Sequence, residues 1–296
     1  MSGAYPTRRP VEVPTIMRAL DPQVFDAIWE QVEPLLPARK DHHPLGCHRP
    51  RVPDRLCLYA MVVRLVTGCS WVVVERLMAG AVSDTTLRSR RDEWVKASVF
   101  DQLAEIILSF YEAKVGLEPA EAAVDGCLQK APCGGEGTGK SPVDRGKLGW
   151  KWSIGTDRNG IPMGFVVAPA NRNDSVLLPD TLEAIDDQGL LEEVEALHLD
   201  RGYDNSVVRR QVAAAGIGEL VVSSVRRGRT QPPRTKRQVP LGRRWVVERT
   251  NSWLSNYGQL RRNTDRKAVH RQAAMALVIA ILLIAKLIDA GHLGRL

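Results

Sequence analysis

The sequence predicts an α/β protein in which a mixed sheet flanked by helices is preceded by an all-α N-terminal domain. Apolar residues recur at helical spacing through the first 115 residues, and short strand-like runs replace that pattern after Gly116. An Asn159-Gly160 pair separates two of these runs, and Asn-Gly between strand-like segments is a strong hairpin signal. We therefore predict a helical domain over residues 1–115 and an α/β domain over residues 116–296.

The N-terminal domain has the layout of a helix-turn-helix. Asp21 is suited to cap a first helix that Pro37 closes, and a second helix spans residues 53–68. A short helix over residues 70–80, a break, and one long helix from Thr85 to about Gly116 follow. The long helix carries three arginines expected to contact DNA: Arg88, Arg90 and Arg91. An ordinary helical domain with surface arginines remains an equal alternative on this segment.

The α/β domain alternates strands and helices in an order that predicts a mixed sheet. A strand ending at Asp125 and the hairpin give three antiparallel strands, and Asp174 then caps a helix. A strand ending at Asp200, a helix, another strand at residues 219–224 and two closing helices follow. Helical crossovers join parallel strands, so the later strands are expected to be parallel.

Composition restricts the class of protein. With 44% hydrophobic and 25% charged residues in 296, the chain is globular rather than disordered. Five cysteines without a CxxC pair disfavour disulfide and zinc frameworks, and the His- and Cys-containing stretch 42–48 is expected to be a polar loop rather than a metal site. The longest apolar run, Ala273–Ala285, is shorter than the roughly 20 residues of a bilayer span, which favours a buried helix. We expect a soluble, cytoplasmic protein without a secretory signal or membrane contact.

Charge is distributed unevenly along the chain. Residues 201–296 contain 19 Lys+Arg against 5 Asp+Glu, whereas residues 1–200 contain 22 against 29. Such asymmetry favours a polyanionic partner such as nucleic acid for the basic part. Arg226, Arg227 and Arg229, in a stretch free of acidic residues, are expected to contact phosphates, so that affinity falls steeply with salt.

Three carboxylates are candidates for catalysis. Asp125 and Asp200 each follow an apolar strand, and Glu248 is the only acidic residue between Glu219 and Asp265. Taken singly, each has an ordinary interpretation as a turn former, helix cap or surface ion-pair partner. Together they match what a pair of Mg²⁺ ions needs, because hard cations take oxygen ligands and two of them promote in-line phosphoryl transfer.

One further motif is misleading. Residues 134–141 (GGEGTGKS) satisfy the pattern of a phosphate-binding P-loop. That pattern requires a preceding strand and a helix that begins at the Gly-Lys-Ser, but Pro132 comes before it and Pro142 follows. We therefore reject a nucleotide hydrolase and expect a Gly- and Lys-rich loop, with Lys147 nearby, that touches the DNA backbone.

The segments VDG, HLDRGYD and RRWVVERTNSWL, in that order, resemble the DDE transposases of bacterial insertion sequences, in particular the insertion sequence 5 group. SPVDRGKLG and ANRND between the first two acids also resemble that group. The resemblance implies an RNase H-like core in which Asp125, Asp200 and Glu248 hold two Mg²⁺ ions, with Mn²⁺ as a substitute. Asp125 would bridge the two ions. It further implies cleavage at transposon ends, joining of the 3′-hydroxyl to target DNA, and a homodimer on double-stranded DNA in the bacterial cytoplasm.

The related signature Tyr-x₂-Arg-x₃-Glu-x₆-Lys is only half present. Arg244 and Glu248 match it, whereas Leu241 and Ser255 replace the Tyr and the Lys. The resemblance makes the Lys a DNA contact, so other basic residues are expected to serve here, and the expected set in this region is Arg244, Arg249, Arg261 and Arg262. Trp245, Trp253 and Leu254 are expected to pack the Glu248 helix onto the sheet. The alternative function is a catalytically inactive transposase that acts as a DNA-binding protein.

Overall fold

Helices form the N-terminal part of the protein, as the apolar spacing predicts. The computed structural model describes residues 18–38, 50–222 and 244–292. The first helices are α1 (Pro22–Val32), α2 (Asp54–Thr67), α3 (Trp71–Leu77), α4 (Asp84–Lys96) and α5 (Val99–Lys114). Asp21 caps α1 by accepting from the N–H of Gln23, and Gly68 ends α2 in the left-handed conformation.

The long helix predicted from residue 85 to about residue 116 is two helices. Ser98 interrupts it with a φ of 53°, which lies in the left-handed region and cannot continue a right-handed helix. The chain therefore turns between α4 and α5. Both segments bury apolar residues, so periodicity alone did not reveal the break.

The α/β part contains the mixed sheet that the order of elements predicts. Its strands are β1 (Glu121–Lys130), β2 (Gly139–Lys140), β3 (Leu148–Thr156), β4 (Pro162–Pro169), β5 (Ala196–Leu199) and β6 (Glu219–Val222). β1 is antiparallel to β3, and β3 is antiparallel to β4. On its other edge β1 is parallel to β5, which is parallel to β6. This is the expected RNase H-like arrangement, with β1 inside the sheet.

The predicted hairpin joins β3 to β4. The Asp157 carboxylate accepts from the backbone N–H groups of Asn159 and Ile161, and Gly160 takes a φ of +79°. That conformation explains the glycine, because a side chain there would be strained.

Helices cover both faces of the sheet. They are α6 (Asp174–Asp186), α7 (Ser206–Ala214), α8 (Trp245–Ser255), α9 (Gly258–Arg261) and α10 (Ala268–Asp289). The β3 residue Trp152 donates its indole N–H to Asn251 of α8, whereas the adjacent Ser153 accepts from Thr181 of α6. Successive strand residues point to opposite faces, so α8 and α6 lie on opposite sides of the sheet.

The apolar helix α10 is the central core element. It is long and apolar enough to cross a bilayer, but 72% of its most apolar window is buried inside the protein. It packs against α5 and α1 as well as β4, and one hydrophobic core runs through the helical and the α/β parts. The buried helix predicted from the apolar run is confirmed, while the division at residues 115 and 116 stays a prediction.

Candidate active site

Three elements bring the candidate carboxylates to one edge of the sheet. Asp125 lies within β1, Asp200 directly follows β5, and Glu248 lies in the first turn of α8. β1 and β5 pair with Ala123 opposite His198. Asp125 and Asp200 each lie two residues beyond this last pair, and Asp200 raises the pKa of Asp125, so the two carboxylates are neighbours.

Arg244 lies between two of these carboxylates. One guanidinium nitrogen is 2.5 Å from Oδ1 of Asp200, and the other is bonded to Oε1 of Glu248. Burial lowers the pKa of Arg244, but Asp200 and Glu248 outweigh it and raise the pKa overall. The pairing of Arg244 with Glu248 was one of the sequence alternatives, whereas its contact with Asp200 depends on the tertiary fold.

Asp125 is the most buried of the three acids. Burial raises the pKa of its carboxyl group from 3.8 to about 6, against the lowering effects of the Gly126 N–H and of Arg244. Asp174 and Asp200 raise it further. A carboxylate in this position is costly until cationic charge reaches it.

A second polar cluster supports β1 from the opposite face, and the sequence analysis missed it. Lys151 of β3 is almost fully buried and donates to the Asp174 carboxylate at 2.5 Å and to the Arg172 carbonyl at 3.1 Å. The Asp174 carboxylate lies where a Cβ on Gly126 would be, so residue 126 has no room for a side chain. The signal available in the sequence was the ANRND motif, which ends at Asp174. Asn173, rather than Asp174, caps α6.

Asp125, Cys127 and Gln129 are alternate residues of β1, so their side chains lie on the same face of the sheet, the one that α8 covers. The Gln129 amide donates to the Ser255 hydroxyl at 2.7 Å, at the end of α8. Ser255, at the position of the absent Lys, is therefore part of a neutral hydrogen-bonded cluster. Burial raises the pKa of the Cys127 thiol, which keeps it protonated and unreactive.

The packing predicted for α8 is partly wrong. Leu254 is fully buried, but Trp245 is 55% exposed, whereas Val246 and Val247 in the same turn of α8 are buried. The Arg249 guanidinium stacks on Trp245 and Trp253 at 4.9 and 4.8 Å and donates to the Asn159 carbonyl. Arg249 is thus held against the protein surface by aromatic rings.

The donor set suits a hard divalent cation, because three carboxylates supply its oxygen ligands. As they stand, however, no three acidic, histidine or cysteine side chains converge closely enough to hold an ion within the part of the chain that the structure describes. Arg244 pairs with Asp200 and Glu248, so two of the three carboxylates already have a cationic partner.

Basic clefts lie around the end of β1, the strand that carries Asp125. Lys130, Lys147 and Arg262 line one cleft of about 470 Å³, and Arg261 lines an adjoining one with Gln129. Arg262 also lines a third cleft, together with Arg88 of α4. Gln129 is four residues along β1 from Asp125, or about 13 Å. Exposed basic side chains therefore form a basic path from α4 to the end of β1.

Two arginines predicted to contact DNA face the protein interior instead. Arg90 is only 5% exposed and pairs with Asp54 of α2, and Arg91 pairs with buried Asp265 at 2.9 Å. Both lie on the buried side of α4, so of this trio only Arg88 is exposed. Three other predicted contacts, Arg226, Arg227 and Arg229, lie outside the described residues, as does the stretch 42–48.

The P-loop pattern is not a P-loop. Its last residues form the short strand β2, with no helix after them. The Glu136 N–H donates to the Arg266 carbonyl, and Gly135 packs against the same residue. This loop is fastened to the segment before α10, which agrees with the rejection of a nucleotide site.

Comparison with known proteins shows which family the chain belongs to. Residues 121–283 match the family described as "Transposase DDE domain", and residues 24–104 match "Putative transposase of IS4/5 family". The chain is 36% identical over 137 residues to a "Putative transposase for insertion sequence element IS402" of Burkholderia cepacia, covering 44% of this chain and 61% of that protein. An "Insertion element IS402 uncharacterized 16.2 kDa protein" of the same organism is 31% identical over 41% of this chain and 82% of its own length.

Among solved structures, the chain is similar to "Crystal structure of a pre-cleavage Mos1 transpososome". The two are 11% identical, with a TM-score of 0.27 and coverage of 84% of this chain and 82% of that one. That likeness is too low to say more about the site. The match over residues 121–283 spans all three candidate acids. It also covers more than half of the chain, which therefore belongs to the transposase DDE domain family.

Proposed function

We propose that this protein is a divalent-cation-dependent DNA transposase that cleaves transposon ends and joins the freed 3′-hydroxyl to target DNA. The observation that carries the proposal is the Arg244 guanidinium, which is bonded to Asp200 and Glu248 and lies close enough to Asp125 to lower the pKa of its carboxyl group. Three acids gathered from distant parts of the sequence are unfavourable for folding unless a cation compensates them. Family membership supports the same reaction class.

Asp125, Asp200 and Glu248 would hold Mg²⁺, two ions in the full reaction, and Mn²⁺ would substitute. The ions supply activation of the attacking oxygen and stabilisation of the leaving one. The chain itself keeps the acids in place: Gly126 donates its N–H to Asp125, and β5 places Asp200 beside it.

Arg244 serves as the cation of the site before DNA binds. Its exposed position lets it move from Asp200 and Glu248 to a DNA phosphate, because its side chain is 31% exposed. Arginine suits both partners, since its planar donors match carboxylate and phosphate alike. This exchange would open the space between the two carboxylates only when substrate arrives.

Double-stranded DNA would follow the basic path described above. Lys130, Lys147, Arg261 and Arg262 would contact phosphates near the cleaved bond, and Arg88 would contact DNA farther out. We propose a homodimer on DNA, acting in the bacterial cytoplasm, so that two transposon ends are held together.

The decisive experiment is cleavage of a duplex that carries an end of the element encoding this chain. Wild type and Glu248→Gln are compared in Mg²⁺, in Mn²⁺ and in EDTA, with DNA binding measured in parallel. Glu183→Gln, an exposed glutamate on α6, is the matched control. We expect metal-dependent cleavage at a 3′ end by wild type and the control, and binding without cleavage by Glu248→Gln.

Two results would refute the proposal. Cleavage by Glu248→Gln at the wild-type rate would remove the glutamate from the site. Binding without cleavage by wild type in both ions would favour the alternative of a catalytically inactive, DNA-binding transposase.

A further inference from the structure

A buried carboxylate joins the helical part of the protein to the segment that is bonded to the end of β1. Asp265 lies in the segment between α9 and α10 and is 6% exposed. Arg64 of α2 donates to both of its oxygens, at 3.2 and 3.1 Å. Arg91 of α4 donates at 2.9 Å, and Gln259 of α9 donates at 2.7 Å. One carboxylate therefore holds three helices together.

The two arginines are held on their other side as well. The guanidinium of Arg64 lies 4.3 Å from the ring centre of Trp71, and that of Arg91 lies 5.3 Å from it. Cation–π contact on one side and a carboxylate on the other leave both groups little freedom. Burial would raise the pKa of Asp265, but Arg64 and Arg91 hold it below the usual value, so the group stays ionised.

The Asp265 segment is also bonded to the strand that carries Asp125. The backbone N–H of Asp265 donates to the side-chain oxygen of Asn263. The backbone N–H of Asn263 in turn donates to the Lys130 carbonyl of β1 at 2.8 Å. Arg262 forms an isolated bridge with the same Lys130. A short bonded path therefore runs from Arg91 on α4, through Asp265 and Asn263, to the end of β1.

The Asp265 cluster borders the basic path. Arg88 is exposed and lines a cleft with Arg262, while Arg91, three residues later, points to Asp265. Any DNA contact made by α4 is thus tied in position to β1. Buried ion networks contribute little net stability, and their best-attested use is to select one geometry over its neighbours.

We propose that Asp265 is a positioning residue that sets the spacing between the DNA contacted by α4 and the bond that is cleaved. This inference rests on the proposed function, and it assigns the Arg64–Asp265–Arg91 cluster a part in where the strand is cut. Adjacent base pairs are about 3.4 Å apart, so a displacement of α4 by that amount moves the cut by one bond.

The test maps cleavage at single-nucleotide resolution on an end duplex. Asp265→Asn and Arg91→Gln are compared with wild type, and Arg55→Gln, which breaks an exposed ion pair with Asp26 between α1 and α2, is the control. We expect both cluster variants to bind the duplex but to cut at neighbouring bonds too. The share of product cut at the wild-type bond should fall roughly twofold or more. This corresponds to the weakest coupling that is usual between residues of one ion network. The control should cut as wild type does.

The outcomes distinguish a failure of the positioning role of Asp265 from a failure of the proposed function. Cluster variants that cut more slowly but only at the wild-type bond would overturn the positioning role and leave the proposed function intact. A wild type that does not cut would overturn the proposed function itself. If Asp265→Asn fails to fold, as judged by its thermal transition, Arg91→Gln decides alone, because it leaves the Arg64 pair in place.

Discussion

Asp125 destabilises the folded protein when no divalent cation is bound, and its replacement by asparagine should reveal this. Burial raises the pKa of its carboxyl group from 3.8 to about 6, so near neutral pH the fold must keep a desolvated carboxylate. Asparagine keeps an acceptor for the Gly126 N–H and carries no charge. We therefore expect Asp125→Asn to be more stable than wild type at about pH 8 in EDTA.

The raised pKa of Asp125 determines how large the stability gain of Asp125→Asn is and over which pH range it appears. Because the pKa is raised in the folded state, this group's contribution to stability is fully present below pH 3.8 and is lost as pH rises through about 6. Each pKa unit corresponds to about 1.4 kcal/mol, so the free energy of unfolding of the variant should exceed that of wild type by about 3 kcal/mol at pH 8. For a chain of this size that is roughly 5 °C in Tm.

Thermal unfolding of the full chain in EDTA, between about pH 4 and pH 8, measures the effect. Asp180→Asn, at an exposed position of α6, controls for the loss of one negative charge. The gain should appear only in Asp125→Asn and should vanish near pH 4. A variant less stable than wild type at pH 8, or a difference that does not change with pH, would refute the reasoning. Mn²⁺ should then raise the Tm of wild type but not of the variant.

Other predictions test the neighbouring groups. Without DNA, Arg244→Gln should bind Mn²⁺ about three- to tenfold more tightly than wild type, as measured by titration calorimetry. The reason is that two ion pairs of at most about 1 kcal/mol each no longer compete with the metal ion for Asp200 and Glu248. An unchanged affinity would contradict this. Gly126→Ala should lower the free energy of unfolding in urea by about 1–3 kcal/mol, since its Cβ would meet Asp174, whereas Gly202→Ala, with open space around it, should be nearly neutral; equal effects would argue against the close approach. Arg262→Gln should weaken DNA binding and reduce the slope of log affinity against log salt by about 1, and an unchanged slope would remove it from the DNA path.

The features predicted best from the sequence are those with short-range causes. The hairpin follows from two adjacent residues, Asn159 and Gly160, and the helix start at Asp21 follows from one side chain. The position of Asp200 at the end of β5 follows from an apolar run that ends in acid, whereas the strand predicted to end at Asp125 continues to Lys130. Ser98 breaks the predicted long helix, and no glycine or proline indicates this break in the sequence. Serine adopts the left-handed conformation only where packing imposes it, so the residue type alone does not predict it.

The misassigned arginines show which local signal was available and which was not. Leu87, Arg90 and Trp94 share the buried face of α4 and are spaced by three and four residues. That spacing indicates that Arg90 faces inward, with Arg91 beside it. Identifying their carboxylate partners is another matter, because the partner of Arg91 lies 174 residues away. Only the tertiary fold brings such groups together.

The basic residues in the C-terminal third of the chain have two roles that a count of charges does not distinguish. Some hold the fold together, and others are exposed in the clefts. Arg271 is buried and donates to the Asp265 carbonyl at 2.5 Å, so it holds the frame of the protein. Arg261 and Arg262 are exposed in the clefts. Cations that hold the frame cannot also neutralise phosphate, so the net charge overstates the charge available to DNA. Because log affinity changes with log salt roughly in proportion to the phosphates contacted, the measured slope should match the exposed cations alone.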